Sequence, residues 1–372
     1  RLIVLSVGLA GACGSASLLG RSHGALPAYD PVLDPRGAIC GASAAGRPAL
    51  LDALVLAQTA ETRPFPQLPM KAAEGAVPLY DNLGGLSLKV GTRNARAQAY
   101  FDQGLRWAFA FNHAEAQRAF QAAQREDPAL AMAYWGEAFV LGPNINAPML
   151  PAAVAPAWAA LSRANALAPA APEKDRALIA ALRQRSPLDA AFADAMRAVA
   201  ARHADDDTVQ ALYAESVMDT QPWDYWEAAG TRPKGRAGEM LAALETVLAR
   251  NPDHPGAIHL YLHAVEASAT PERGMPHARR LAALMPGAGH IVHMPAHIYY
   301  RVGLFKDSME INRRAMAVDE AYFATSPSDP LYKAAYYPHN IHFVLVSAQM
   351  GGDGATAIAA ADKLDAALAD EV

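Results

Sequence analysis

Cysteine is nearly absent from this sequence. Only Cys13 and Cys40 occur in 372 residues. If Cys13 is cleaved away or lipidated, no pair remains, so no disulfide framework is expected and cysteine usage assigns no compartment. Cys40, in Ala-Ile-Cys-Gly, has no positional partner and reads as an inert thiol. Charge is also sparse, at 19% of residues with a net of −5, and the lack of a basic excess excludes a nucleic-acid footprint. No apolar run is long enough to cross a membrane as a helix. There is no G-x-x-x-x-G-K-[ST] loop and no G-x-G-x-x-G between strand and helix, which argues against nucleotide binding. No G-x-S-x-G elbow is present, and no residue set reads as catalytic.

What is abundant is alanine, the best helix former, and it inflates an apolar share of 52%. The chain opens on Arg1 and an apolar run, Leu2–Ala12, followed by small residues. That pattern is expected to be an export signal, placing the mature protein in the periplasm or cell envelope. Ala-Gly-Ala-Cys13 is close to a lipoprotein signal, although Ala10 stands where a leucine is usual, so a lipid anchor on Cys13 and plain cleavage are both open. Residues 1–22 are thus read as a leader and 23–92 as a Gly/Pro/Ala-rich lead-in with one helical window, Pro48–Thr62, packing on the first repeats. From 93 to 372 the texture is helical and repetitive. No polar capping segment precedes Val372, so the repeats are expected to run on past it.

The repeat is specific. With Ala97 as position 1, Tyr100, Gly104, Trp107, Ala116, Phe120, Ala123 and Pro128 fall where a 34-residue tetratricopeptide (TPR) unit alternates small and large residues. Small residues let the two helices of a unit approach, large ones fill the gap to the next unit, and Pro128 stops the second helix. Another unit starts at Ala131 and is interrupted by a loop over 142–148, with a helix resuming at Ala153–Leu167. Residues 172–218 read as three helices, and a second long loop covers 218–234. Pro252 and Pro286 lie 34 apart and close two successive units. A helix is expected at Lys306–Val318 and a last pair at Asn340–Met350 and Ala355–Leu368. The fold class expected is all-α, a TPR-like α-solenoid of antiparallel helix pairs in a right-handed superhelix.

From Tyr100 onward the chain also resembles a family of bacterial, exported TPR proteins of poorly defined function. The likeness is carried by stretches such as Tyr100–Leu105, Phe111–Ala116, Ala133–Ala138, Pro255–Glu266, Pro286–Val302 and Tyr337–Phe343. It implies the fold and no catalytic residues.

Histidine carries the chemistry. His259 and His263 are four apart; His290, His293 and His297 are three and four apart; His339 and His342 are three apart. Each set falls on one helical face. The sets repeat with the units: His259 to His293 and His263 to His297 are 34 residues, while His290 to His339 and His293 to His342 are both 49, one unit plus a 15-residue insertion. Pro295 is expected to kink any helix through them. Numbered within their units, all seven occupy positions expected to line a concave groove. Glu266, Tyr300 and Arg301 lie alongside, with Glu266 able to orient a ligand imidazole. Phe101, Trp135 and Phe139 hold matching positions in the first units, either as an apolar half of the groove or as core. The remaining His23, His113, His203, His254 and His277 are read as surface residues.

Three functions suit this pattern. The first is an exported scaffold holding a peptide, protein or small ligand in the His-lined groove. The second is a metalloprotein with three or four imidazoles on zinc or copper, with His293 and His297 the leading pair. The third is a pH-responsive binder, because clustered histidines charge near pH 6.5 and repel. Against all three stands a packed, hydrogen-bonded histidine seam. Asp205-Asp206-Asp207 is read as a helix N-cap, not a calcium site.

Overall fold

The computed structural model describes residues 77–185, 189–326 and 330–369. The expected leader, the window Pro48–Thr62, His23 and Cys40 lie outside the described residues. The described chain is all-helical, and its only β-type pairings are two isolated bridges, Asn144 with Ala147 and Trp226 with Pro233. No helix of the described residues is long and apolar enough to cross a membrane.

The helices follow in this order: α1 Ala95–Phe109, α2 His113–Glu126, α3 Ala131–Val140, α4 Pro151–Leu167, α5 Glu173–Leu182, α6 Asp189–Arg202 and α7 Asp207–Met218. After a loop come α8 Ala237–Arg250, α9 Pro255–Val265, α10 Met275–Leu284, α11 Gly289–His293, α12 Pro295–Arg301, α13 Phe305–Thr325, α14 Pro330–Gly351 and α15 Gly354–Ala369. Short connections force neighbours to fold back on each other. The closest packing is between successive helices: α1 with α2, α13 with α14, and α14 with α15.

Local chemistry sets the helix starts. The Asn94 side chain accepts from the backbone N–H groups of Arg96 and Ala97, and Asn112 accepts from Glu115. Asp206 caps α7 by accepting from Val209, so the acidic run is a cap. His254 is buried, not a surface residue: its Nδ1 accepts from Ala257 N–H at 3.0 Å and caps α9. Burial holds its pKa down at about 4, keeping Nδ1 an acceptor.

Helices α1 to α3 pack with small residues against a large one. A Cβ on Gly104 would lie 2.7 Å from the Phe120 ring, and one on Gly136 would lie 2.4 Å from it. One ring of α2 is therefore gripped between two glycines of α1 and α3. Phe101 packs on Phe120, and Trp135 stacks on Phe139 at 5.2 Å with its indole N–H on the Leu178 carbonyl. Phe101, Trp135 and Phe139, like Phe120, are buried core.

Residues 77–92 lie along α1. Tyr100 donates to the Val77 carbonyl and Asp102 accepts from Leu88 N–H. Two boundaries differ from expectation. The penultimate helix starts at Pro330, not Asn340, because Pro338 is carried inside it. The helix expected at Lys306–Val318 runs on to Thr325.

Candidate metal centre

Four helices bring the histidines together. α9 supplies His259 and His263 one turn apart, with Glu266 just beyond its end. α11 supplies His290 and His293, α12 supplies His297, and α14 supplies His339. Pro295 does divide α11 from α12. Met294, between them, keeps helical angles (φ −51°, ψ −36°), so the ladder is cut but the path continues and His293 still faces His297. Gly289 lets this segment come close to α13, since a Cβ there would lie 1.9 Å from the Asp319 carboxylate. Tyr332 then joins the two, its hydroxyl donating to Asp319 and accepting from His290 N–H.

Six of the seven histidines form two adjoining triads, His259–His263–His290 and His293–His297–His339, the possible ligand atoms of each lying within 4.8 Å of one another. Five of the rings are fully shielded from solvent and His339 is 5% exposed, so these positions line a closed interior and not an open groove. His342 stands outside both triads and is only partly buried. Tyr300 reaches the cluster through Phe343, whose ring lies 4.7 Å from both His293 and His297. Arg301 is half-buried at the end of α12 and belongs to neither triad.

Four of the six rings are oriented by oxygen acceptors on their Nδ1 atoms. His259 donates to the Phe109 carbonyl at 2.6 Å, and His293 to Asn312 Oδ1 at 2.6 Å. Asn312 cannot turn its amide around without losing the 2.7 Å bond from its Nδ2 to the Ser308 carbonyl. The two oxygens of Glu266, itself fully buried, take His263 Nδ1 at 2.9 Å and His297 Nδ1 at 2.5 Å. With a single proton, on Nδ1, each of these four rings presents its Nε2 lone pair inward. His293 Nε2 and His297 Nε2 are 2.8 Å apart, and His259 Nε2 is 3.1 Å from His290 Nε2.

Burial, with lesser repulsion from neighbouring imidazoles, keeps five of the imidazoles uncharged. It lowers the pKa values of His259 and His263 to about 3, and those of His290, His293 and His339 well below the ordinary value. His263 Nε2, His290 Nδ1 and His339 Nε2 have no hydrogen-bond partner although buried. Such atoms cost about 1–3 kcal/mol each when unsatisfied.

Sequence reasoning found the histidines but missed the walls around them. Phe111, in the turn between α1 and α2, lies 4.5 Å from His259 and stacks on His263 and His290. Trp223, in the loop before α8, meets His263 edge-on at 4.9 Å. Both hold left-handed backbone, φ 55° and 65°, costly for an aromatic residue and characteristic of functional sites. No spacing signal marks either, nor Asn312. No protein-family model matches the chain, and none of the curated proteins compared with it matches.

Proposed function

We propose that this protein is a metalloprotein that holds a transition metal, zinc or copper, within the buried histidine cluster of a TPR-like solenoid. The right-handed superhelix of antiparallel pairs is supported by the 34-residue phase and by the glycine grip on Phe120. Export, and membership of the bacterial exported TPR proteins that the sequence resembles, complete the proposal on the strength of the leader and the quoted stretches.

The observation that carries it is the His293–His297 pair. Both Nδ1 atoms face oxygen acceptors, so two Nε2 lone pairs oppose each other at 2.8 Å in a buried interior. Two such lone pairs repel, and a metal ion beside them, or a proton on one of them, reverses that. Imidazole suits zinc and copper, and oxygen acceptors on the outer nitrogens are how ligating histidines are usually held. A metal also gives a partner to His263 Nε2 and His339 Nε2, which have none. Their burial favours this reading over a peptide groove, because five of the six rings are fully shielded from solvent.

The competing cation is a proton, on a His297 imidazolium paired with Glu266. The double change His293→Ala with His297→Ala separates the two. Metal content by elemental analysis should fall relative to the wild type while circular dichroism stays helical. Equal metal content in both proteins contradicts the proposal.

A further inference from the structure

We infer that the centre is dinuclear, with one ion in each triad and Glu266 as the positioning residue shared by both. This rests on the metal reading above and goes beyond it in stoichiometry and wiring.

The histidines repeat as a set. Adding 34 residues to His259 and His263 gives His293 and His297, and adding 49 to His290 gives His339. The second triad is therefore the first displaced by one structural unit. In both, two imidazoles four residues apart come from one stretch of chain, the helix α9 in the first and the continuous α11–α12 path in the second, and the next unit contributes the third. A single site would need only one copy of this device.

Distances agree with one ion per triad. Zinc binds imidazole nitrogen at about 2.0–2.1 Å, so tetrahedral ligand atoms sit roughly 3.4 Å apart. The candidate atoms within each triad span no more than 4.8 Å and gather around one ion with small movements. Six imidazoles exceed what one four-coordinate ion accepts, whereas three each leave two ions with an open position, as in catalytic zinc sites. Each triad also contains a buried nitrogen without a hydrogen-bond partner: His263 Nε2 and His290 Nδ1 in the first, His339 Nε2 in the second. His263 Nε2, whose ring donates through Nδ1 to Glu266, thus shows an unmet need for an electron-pair acceptor in the first triad, and His339 Nε2 offers the matching unpartnered atom in the second.

Glu266 links the two. Its Oε1 takes the proton side of His263 in the first triad, and its Oε2 that of His297 in the second. A carboxylate can accept on both sides at once. An amide cannot. In Glu266→Gln one side presents an NH2 donor, and the imidazole facing it must turn its Nδ1 into an acceptor. Its proton then moves to Nε2, the ligating atom, and that triad loses a ligand. Glu266→Gln should therefore spare one ion and weaken the other by roughly 10–100-fold, the usual cost of losing such a partner.

Native mass spectrometry of the metal-free full chain, titrated with Zn(II), tests this. The wild type should saturate at two ions. His290→Ala and His339→Ala, which disturb separate triads, should each saturate at one, as should Glu266→Gln at zinc concentrations that just fill the wild type. Circular dichroism confirms that each variant is folded, and the near-isosteric Glu266→Gln guards against misfolding of the histidine variants. Saturation of the wild type at one ion overturns the dinuclear inference but leaves the metal reading standing. No bound ion overturns both. Two ions in Glu266→Gln with unchanged affinity overturn the shared role of the carboxylate.

Discussion

Asn312 shows how much of the centre depends on residues that carry no metal themselves. Its amide is held by the Ser308 carbonyl, which leaves Oδ1 to take the His293 Nδ1 proton and fixes the tautomer that ligation needs. Asn312→Leu removes the acceptor and frees the ring to place its proton on Nε2. Metal affinity should drop by about 10–100-fold, measured by competition with a chelator, and an unchanged affinity would remove this residue from the account. At this scale the sequence was informative about the histidines and silent about their partners. The 34- and 49-residue offsets singled out all six triad histidines. They also included His342, which shares the phase but stands outside the triads. Three residues along a helix turn by about 300°, so His342 sits some 60° around from His339. The Phe109 carbonyl lies 150 residues from His259, and no local pattern announces a pairing at that distance.

The elements were largely legible, because their spacing depends on packing that recurs. Gly104, Phe120 and Gly136 are the clearest instance: the ring fits only because two Cβ atoms are missing. Gly136→Ala should overpack the contact between α2 and α3 and cost about 1–3 kcal/mol, seen as a lower thermal midpoint with metal content unchanged. A midpoint equal to the wild type would mean that the ring shifts freely and that the grip is not a structural requirement. Prolines were the less dependable marks. Pro128 precedes a new helix and Pro295 divides two, but Pro338 is absorbed within α14. The difference lies in tertiary support. His339, Asn340 and Phe343 on the far side of Pro338 are all buried, and Asn340 donates to Asp319 at 2.8 Å, so packing outweighs the missing hydrogen bond.

For the molecule as a whole, a cluster of neutral buried histidines makes stability depend on pH. His259 and His263 have folded pKa values near 3, below the ordinary value of 6.5 that they regain on unfolding. Between these limits the unfolded chain binds more protons, so stability rises with pH. The contribution is complete above pH 6.5 and is lost progressively as pH falls from there toward 3, at up to about 1.4 kcal/mol per pH unit for each such histidine. The metal-free protein should therefore unfold cooperatively in mild acid, followed by circular dichroism. A flat stability profile from pH 7 to pH 4 would show that the rings titrate freely and that the interior is open to water. Loaded protein should resist further, since bound metal competes with protons for the same lone pairs.

The most direct test of the central claim is the metal content of the purified chain, followed by its thermal midpoint after the metal is removed and Zn(II) or Cu(II) restored. The account predicts two equivalents of a transition metal per chain, a lower midpoint without them, and recovery on addition. A chain that carries no metal, and whose midpoint does not move with either ion, would contradict it and leave the six imidazoles as a buried polar seam.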